Sequence, residues 1–162
     1  MNVTFTRTAE RRYRVSIDGP GIEPSYMEPA PGYDAHLPHD AAHFIVESVL
    51  GIRGGIFGQL AAGGHARTFR RGAQRARSRV AKRGDRLAVA NRDDAALSER
   101  AVFAATCVWK RWKDAPTTGI APEEMREICL QFDAFSRQWS MLPVGGSITR
   151  AWNSATKPRR SR

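Results

Sequence analysis

The 162-residue chain predicts an α+β domain: a small antiparallel sheet, made of an N-terminal hairpin and a C-terminal strand, packed with about four to five helices. Three observations carry this reading. Two stretches near the start, Val3–Thr8 and Tyr13–Asp18, alternate apolar and polar residues, and Ser147–Trp152 near the end does so again. Between them, segments beginning at Leu37, Asp93 and Pro122 repeat apolar residues at helical spacing.

In the first stretch Val3 and Phe5 share one face, and in the second Tyr13, Val15 and Ile17 do. The four residues between them, AERR, make a turn, although they lack the Asn-Gly or Gly-Gly pair of the tightest hairpins. Gly19, Pro20 and Gly21 end the second strand. Ser25–Glu28 reads as a third, short strand before Pro29, Pro31 and Gly32 impose a loop that runs to His36.

The helix that follows, Leu37–Leu50, holds the chain's sharpest chemical hint. A helix advances about 100° per residue, so Ala42, Ile45, Val46, Val49 and Leu50 share an apolar face. His39, His43 and Glu47 follow one another at four-residue steps along its edge, where side chains on neighbouring turns converge. Phe44 projects on the opposite side, so the helix is expected to be covered on two faces. Two imidazoles at i and i+4 are the spacing with which a helix presents nitrogen ligands to zinc, and a carboxylate one turn further on serves as a third ligand or an orienting group. His36 is the local candidate for a ligand from outside the helix. The competing reading is structural: His39 starts the helix after Pro38, and His43 and Glu47 make half-buried hydrogen bonds.

The stretch is similar to the short zincin motif, HExxH, but Asp40 stands where those enzymes carry the glutamate that acts as general base. The shorter side chain changes the reach to a metal-held water by about one C–C bond, which counts against a peptidase even with a metal bound; Asp40 is the residue left in the position of the base. The wider stretch PAPGYDAHLPHDAAHFIVE, followed by GIFGQLAAGG, resembles a group of small, uncharacterised bacterial proteins. The likeness covers roughly the first seventy residues, with PVGGSIT a further partial match. It implies a fold unit and no activity.

Gly51 is placed to end the helix. Gly54, Gly55 and Gly58 do not form a phosphate loop, because they follow a helix rather than a strand and no Lys-Ser or Lys-Thr pair comes after them. Ile56, Phe57, Leu60 and Ala61 instead read as a short apolar helix, packed closely because the glycines allow it.

Charge is concentrated beyond Gly64. Residues 67–86 carry nine basic side chains (Arg67, Arg70, Arg71, Arg75, Arg77, Arg79, Lys82, Arg83 and Arg86) against Asp85 alone. Phe69, Ala73, Ala76 and Val80 supply only a narrow apolar stripe, so this segment is expected to be a helical or mobile insert in a single domain spanning 1–152. Residues 153–162 add Lys157, Arg159, Arg160 and Arg162 and are expected to be a disordered tail. Of the net charge of +10, these two segments carry +8 and +4, so the body of the chain is mildly acidic.

Asp93 or Asp94 is placed to cap the next helix, which runs to about Lys113 with Leu97, Ala101, Ala104 and Val108 on one line and Val102, Ala105 and Trp109 beside it. Its end, VWKRWK, brings Trp109 and Trp112 among cations. Burial of both tryptophans is expected there, a base-stacking platform being the alternative. Pro122, Glu123 and Glu124 open the clearest helix, whose Met125, Ile128, Cys129, Phe132, Phe135 and Trp139 read as core. Pro143, Gly145 and Gly146 then turn the chain into a last strand that can return to the hairpin.

The start, MNVTFTRTAERR, lacks the apolar core of a secretory signal, and no apolar run approaches a membrane span, so a cytoplasmic location is expected. Cys107 and Cys129 have no CxxC spacing and read as free thiols. Three functions remain. The first is polyanion binding, to a DNA or RNA backbone or a surface like the ribosome's, through the arginines of 67–86 and the tail. Engaging about six phosphates would give a log K against log salt slope of about −4 to −5. The second is a metal-dependent hydrolase with zinc or a similar divalent ion on His39, His43 and Glu47. The third is a non-enzymatic scaffold whose basic helix folds on an acidic protein partner.

Overall fold

The computed structural model of the chain describes residues 1–64, 66, 68–71, 86, 89–113, 116, 117 and 119–153. Its sheet has five antiparallel strands: β1 (Asn2–Ala9), β2 (Arg12–Asp18), β3 (Ser25–Met27), β4 (Arg70–Arg71) and β5 (Ser147–Ala151), in the order β4-β3-β2-β1-β5. The alternation read from the sequence decides which face is buried. Val3, Phe5, Tyr13, Val15, Ile17, Met27 and Ile148 point inward, while Thr4 and Thr6 face out and bond to Thr149 (2.9 Å) and Ser147 (2.8 Å) on β5. The last strand does return to the hairpin, with Phe5 opposite Ile148. The turn is tighter than expected. Only Glu10 and Arg11 lie outside the strands, and the register slips between Arg7 and Ala9, so a bulge at Thr8 takes up the extra residue.

The basic segment begins differently from the helical or mobile insert expected of it. Phe69 is buried in the core, and Arg70–Arg71 pairs with Tyr26 and Ser25. The outer edge of β3 would otherwise leave its amides and carbonyls unpaired, and a buried aromatic anchor next to it makes strand pairing the better solution. Arg67, Arg75, Arg77, Arg79, Lys82 and Arg83 lie outside the described residues, as do the basic residues of the tail.

Four described helices cover the inner face: α1 (His39–Leu50), α2 (Ile56–Ala61), α3 (Arg92–Trp109) and α4 (Pro122–Ser140). The first of these is central, packed against the other three, and buried without a break from Asp40 to Glu47. Phe44 accounts for its second covered side, meeting Phe5, Phe57 and Trp152 edge-on with ring centroids 6.1, 5.4 and 5.6 Å away. Phe5 also meets Phe135 of α4 at 5.4 Å, and Tyr13 meets Trp139 at 6.0 Å, so aromatic rings tie sheet to helices. Each such ring, fully buried, contributes about 1.5–3 kcal/mol from area alone.

Gly51 closes α1 in the left-handed conformation (φ 63°), its N–H bonded to the Glu47 carbonyl. At α3 the expected aspartate cap is absent. Asp94 Oδ2 instead accepts the N–H of Gly54, 40 residues earlier, at 2.9 Å. That helix ends at Trp109, earlier than its apolar spacing suggests, and Arg111 (φ 55°) turns the chain away. Trp109 therefore packs on Phe132 and donates to Asp133 (2.8 Å), whereas Trp112, expected to be buried, is 52% exposed with Lys110 over its ring. Pro122 opens α4, where Glu124 accepts the Ala121 N–H at 3.0 Å. Both cysteines are free thiols, Cys107 buried and Cys129 half-buried. Among the described residues no helix is long and apolar enough to cross a membrane.

Candidate metal centre

The first turns of α1 and the start of α3 border a cleft of about 370 Å³, which Met27 and Ile56 also line. Loop residues 29–38 deliver the chain to this point with Pro38 at the helix start, where its missing N–H leaves no donor unsatisfied. His39 and His43, one turn apart, meet here with their Nε2 atoms 3.1 Å apart and their rings nearly perpendicular. Across the cleft, Glu99 on α3 places a carboxylate oxygen 3.5 Å from His43 Nε2. The three ligand atoms of His39, His43 and Glu99 all lie within 4.8 Å of one another, and the group can hold a metal ion.

Glu47 is not the third member of this group. Its side chain is fully buried, and its oxygens accept the N–H groups of Ile56 (Oε1, 3.0 Å) and Phe57 (Oε2, 3.0 Å), the first-turn amides of α2. Ser98 donates its hydroxyl to Oε1 at 2.8 Å. The physical reason lies in helix geometry: eight residues at about 100° each carry Glu47 about 80° round the axis from His39, to the inner wall of the cleft where α2 and α3 pack against it. Gly55 makes room for it, since a Cβ there would stand 2.2 Å from the Glu47 carboxyl carbon. The row reads as three ligands only if the drift of a four-residue step is neglected. Of the roles open to Glu47 from the sequence, its hydrogen bonds fit the structural one, and through Ser98, whose Oγ lies 2.9 Å from His43 Nδ1, they also reach that histidine.

His36 does not join the pair. It is exposed, with Nδ1 3.5 Å from the hydroxyl of Ser140 at the end of α4. Asp40 does line the cleft, yet it is buried, and the Tyr13 hydroxyl bonds both to its Oδ2 and to the Pro31 carbonyl. Burial raises the Asp40 pKa against the opposing pull of the Tyr13 bond and of the two histidines. The Tyr13 phenol is pushed far above its ordinary range by burial and by Asp40. Burial would lower the His43 pKa, but the carboxylates of Glu47, Glu99 and Asp40 outweigh it and hold the group above its usual value. His39 is held below its usual value by burial and by the neighbouring His43.

Sequence reasoning passed over Ser98 and Glu99. Ser98 left a trace: it precedes Ala101, Val102 and Ala105 by three, four and seven residues, so it puts a hydroxyl on an otherwise apolar face. Glu99 left none, because nothing local tells one exposed helical glutamate from another. Of the basic segment, Arg70 and Arg86 are described and exposed, and the side chain of Arg71 is outside the described residues. Neither exposed arginine is among the residues lining the cleft. No protein-family model, no curated protein and no solved structure matches the chain, so the chemistry of the cleft rests on the geometry of His39, His43 and Glu99.

Proposed function

We propose that the cleft is a divalent-metal centre of the zinc class, with His39, His43 and Glu99 as ligands, serving metal-assisted hydrolysis. The observation that carries the reading is the 3.1 Å between the two Nε2 atoms. Two imidazole nitrogens each about 2.0–2.1 Å from one zinc ion at a tetrahedral angle stand about 3.3–3.4 Å apart, so the pair needs almost no movement to ligate. Glu99 supplies the adjustable third ligand, since its side chain is 67% exposed and free to close on the ion. Three protein ligands with the fourth position facing a cleft is the arrangement of catalytic rather than structural zinc.

Bound there, such an ion acidifies a water and polarises an ester or amide carbonyl. The chain's own contribution is to hold the ligands and to supply a proton acceptor. Asp40 lines the same cleft, and its raised pKa moves it towards the range in which a general base works. Ser98 has no nucleophilic role in this reading, because it is buried and its proton is directed to Glu47. The test is zinc titration of metal-stripped protein beside His39→Ala, His43→Ala and Glu99→Gln variants. One equivalent bound by the parent, with a loss of affinity of at least about 100-fold on removing either histidine, is the expected result. Equal binding by parent and histidine variants would reject the centre.

A second reading concerns the outer face of the sheet. Arg70 is exposed directly opposite Tyr26 in the register, and Arg14 stacks over the Tyr26 ring at 5.5 Å. An exposed aromatic ring with one guanidinium over it, that of Arg14, which also pairs with Glu28, and an exposed arginine on the neighbouring strand suit a nucleic-acid backbone and a stacked base. This supports polyanion binding by the segment that starts at β4, and the salt dependence of DNA and RNA affinity checks it.

A further inference from the structure

We infer that Ser98 is a positioning residue that fixes which nitrogen of His43 carries the proton, with Glu47 behind it. The consequence for metal affinity rests on the metal centre proposed above; the tautomer itself does not. The argument is a count of protons. The Ser98 hydroxyl lies 2.8 Å from Glu47 Oε1 and 2.9 Å from His43 Nδ1, and it has one hydrogen to give. Glu47 already accepts two backbone N–H groups and, as an ionised carboxylate, can only accept. The serine proton therefore points at Glu47, and the oxygen's lone pair faces the histidine. His43 completes the chain by donating Nδ1–H to Ser98. In the neutral ring this leaves the lone pair on Nε2, the nitrogen that faces His39 Nε2 and Glu99.

The opposite tautomer could donate Nε2–H to His39 Nε2 or towards Glu99 in the cleft, but it conflicts with both neighbours on the buried side. A bare Nδ1 would face a serine lone pair, or would take the serine proton and leave Glu47 Oε1 with Ile56 N–H alone. Ser98 is 2% exposed and Glu47 fully buried, so a hydrogen bond lost between them carries the cost of a buried polar group. The Glu47 charge, 3.7 Å from Nδ1 and fully buried, favours the proton there, and it outweighs Glu99, 3.5 Å from Nε2 but 67% exposed and therefore screened by solvent. Nor can the carboxylate swing away, since Gly55 lies against it and the first turn of α2 holds both of its oxygens. The carboxylate–serine–histidine chain presets a lone pair towards the cleft, the service that the outer partner of a ligating histidine performs in metal sites. It also ties a residue of the cleft to the turn that starts α2.

Long-range ¹H–¹⁵N NMR of metal-free protein tests this, at alkaline pH where the imidazole is neutral. The expected spectrum shows His43 protonated at Nδ1. The Ser98→Ala variant should lose that preference, and its zinc affinity should fall about 10- to 100-fold. The Ser98→Thr variant keeps the hydroxyl and should restore both. A parent protein protonated at Nε2, or a Ser98→Ala variant with an unchanged tautomer, overturns the inference. Should Ser98→Ala fail to fold, the parent spectrum decides alone. A parent protonated at Nδ1 that binds no zinc would leave the positioning role standing and remove the metal reading.

Discussion

Glu47 and Glu99 are the same residue type in opposite situations, and the difference separates fold from chemistry. Glu47 is fully buried under three donors, Ile56 N–H, Phe57 N–H and the Ser98 hydroxyl, so it holds α1, α2 and α3 together. Glutamine in its place would turn an amide donor towards one of those N–H groups and remove the charge that strengthens the others. The expected outcome of Glu47→Gln is a loss of about 2–4 kcal/mol in urea unfolding of the metal-free protein. Glu99→Gln touches an exposed side chain and should leave the unfolding curve within about 0.5 kcal/mol of the parent while weakening zinc. If both variants unfold alike, the division of labour between the two carboxylates is wrong. Ser98 was legible only as a polar residue on an apolar stripe. Its partners lie 51 and 55 residues away, a separation that no local pattern encodes.

At the scale of elements, alternation and helical spacing located nearly every strand and helix, because both follow from which side chains must leave water. The exceptions come from long-range neighbours. Arg70–Arg71 reads as part of a basic helix, but the free edge of β3 is a stronger partner for two extended residues than a weak apolar stripe is for a helix. Phe69 anchors that strand, so Phe69→Ala should destabilise the protein by about 3–5 kcal/mol and raise hydrogen exchange in Ser25–Met27 above that of the hairpin. Unchanged protection of β3 would mean that β4 is incidental to the sheet. The early end of α3 has a similar origin: Trp109 finds Phe132 and Asp133, and the turn at Arg111 then directs Trp112 outward.

For the molecule as a whole, the loop leading into α1 must be held against the helices, and Asp34 does this. Its carboxylate accepts the N–H groups of His36 (2.7 Å) and Leu37 (3.0 Å) and pairs with Lys110 at the end of α3 (2.9 Å). Burial alone would raise the Asp34 pKa, but the Leu37 amide, Lys110 and the His36 amide outweigh it and hold the group below its ordinary value. A depressed carboxylate contributes stability that is present in full above its unfolded value, about 3.9, and is lost as pH falls through the lower folded value. The Asp34→Asn variant should therefore be less stable than the parent at neutral pH, with the gap closing as both are acidified from the unfolded value down through the lower folded one. A gap independent of pH in urea unfolding would show that the charge of Asp34 has no part in it.

By itself the sequence determined the α+β class, the hairpin and its return strand, the central helix and the histidine pair, because these depend on alternation, helical period and residues four apart. The tertiary structure decided the rest: that Glu99 rather than Glu47 lies with the two histidines, that Ser98 meets both His43 and Glu47, and that the basic segment opens as an edge strand. Those outcomes depend on which elements meet, and contacts between residues 40 to 55 positions apart are set by packing of the whole core rather than by any repeat along the chain.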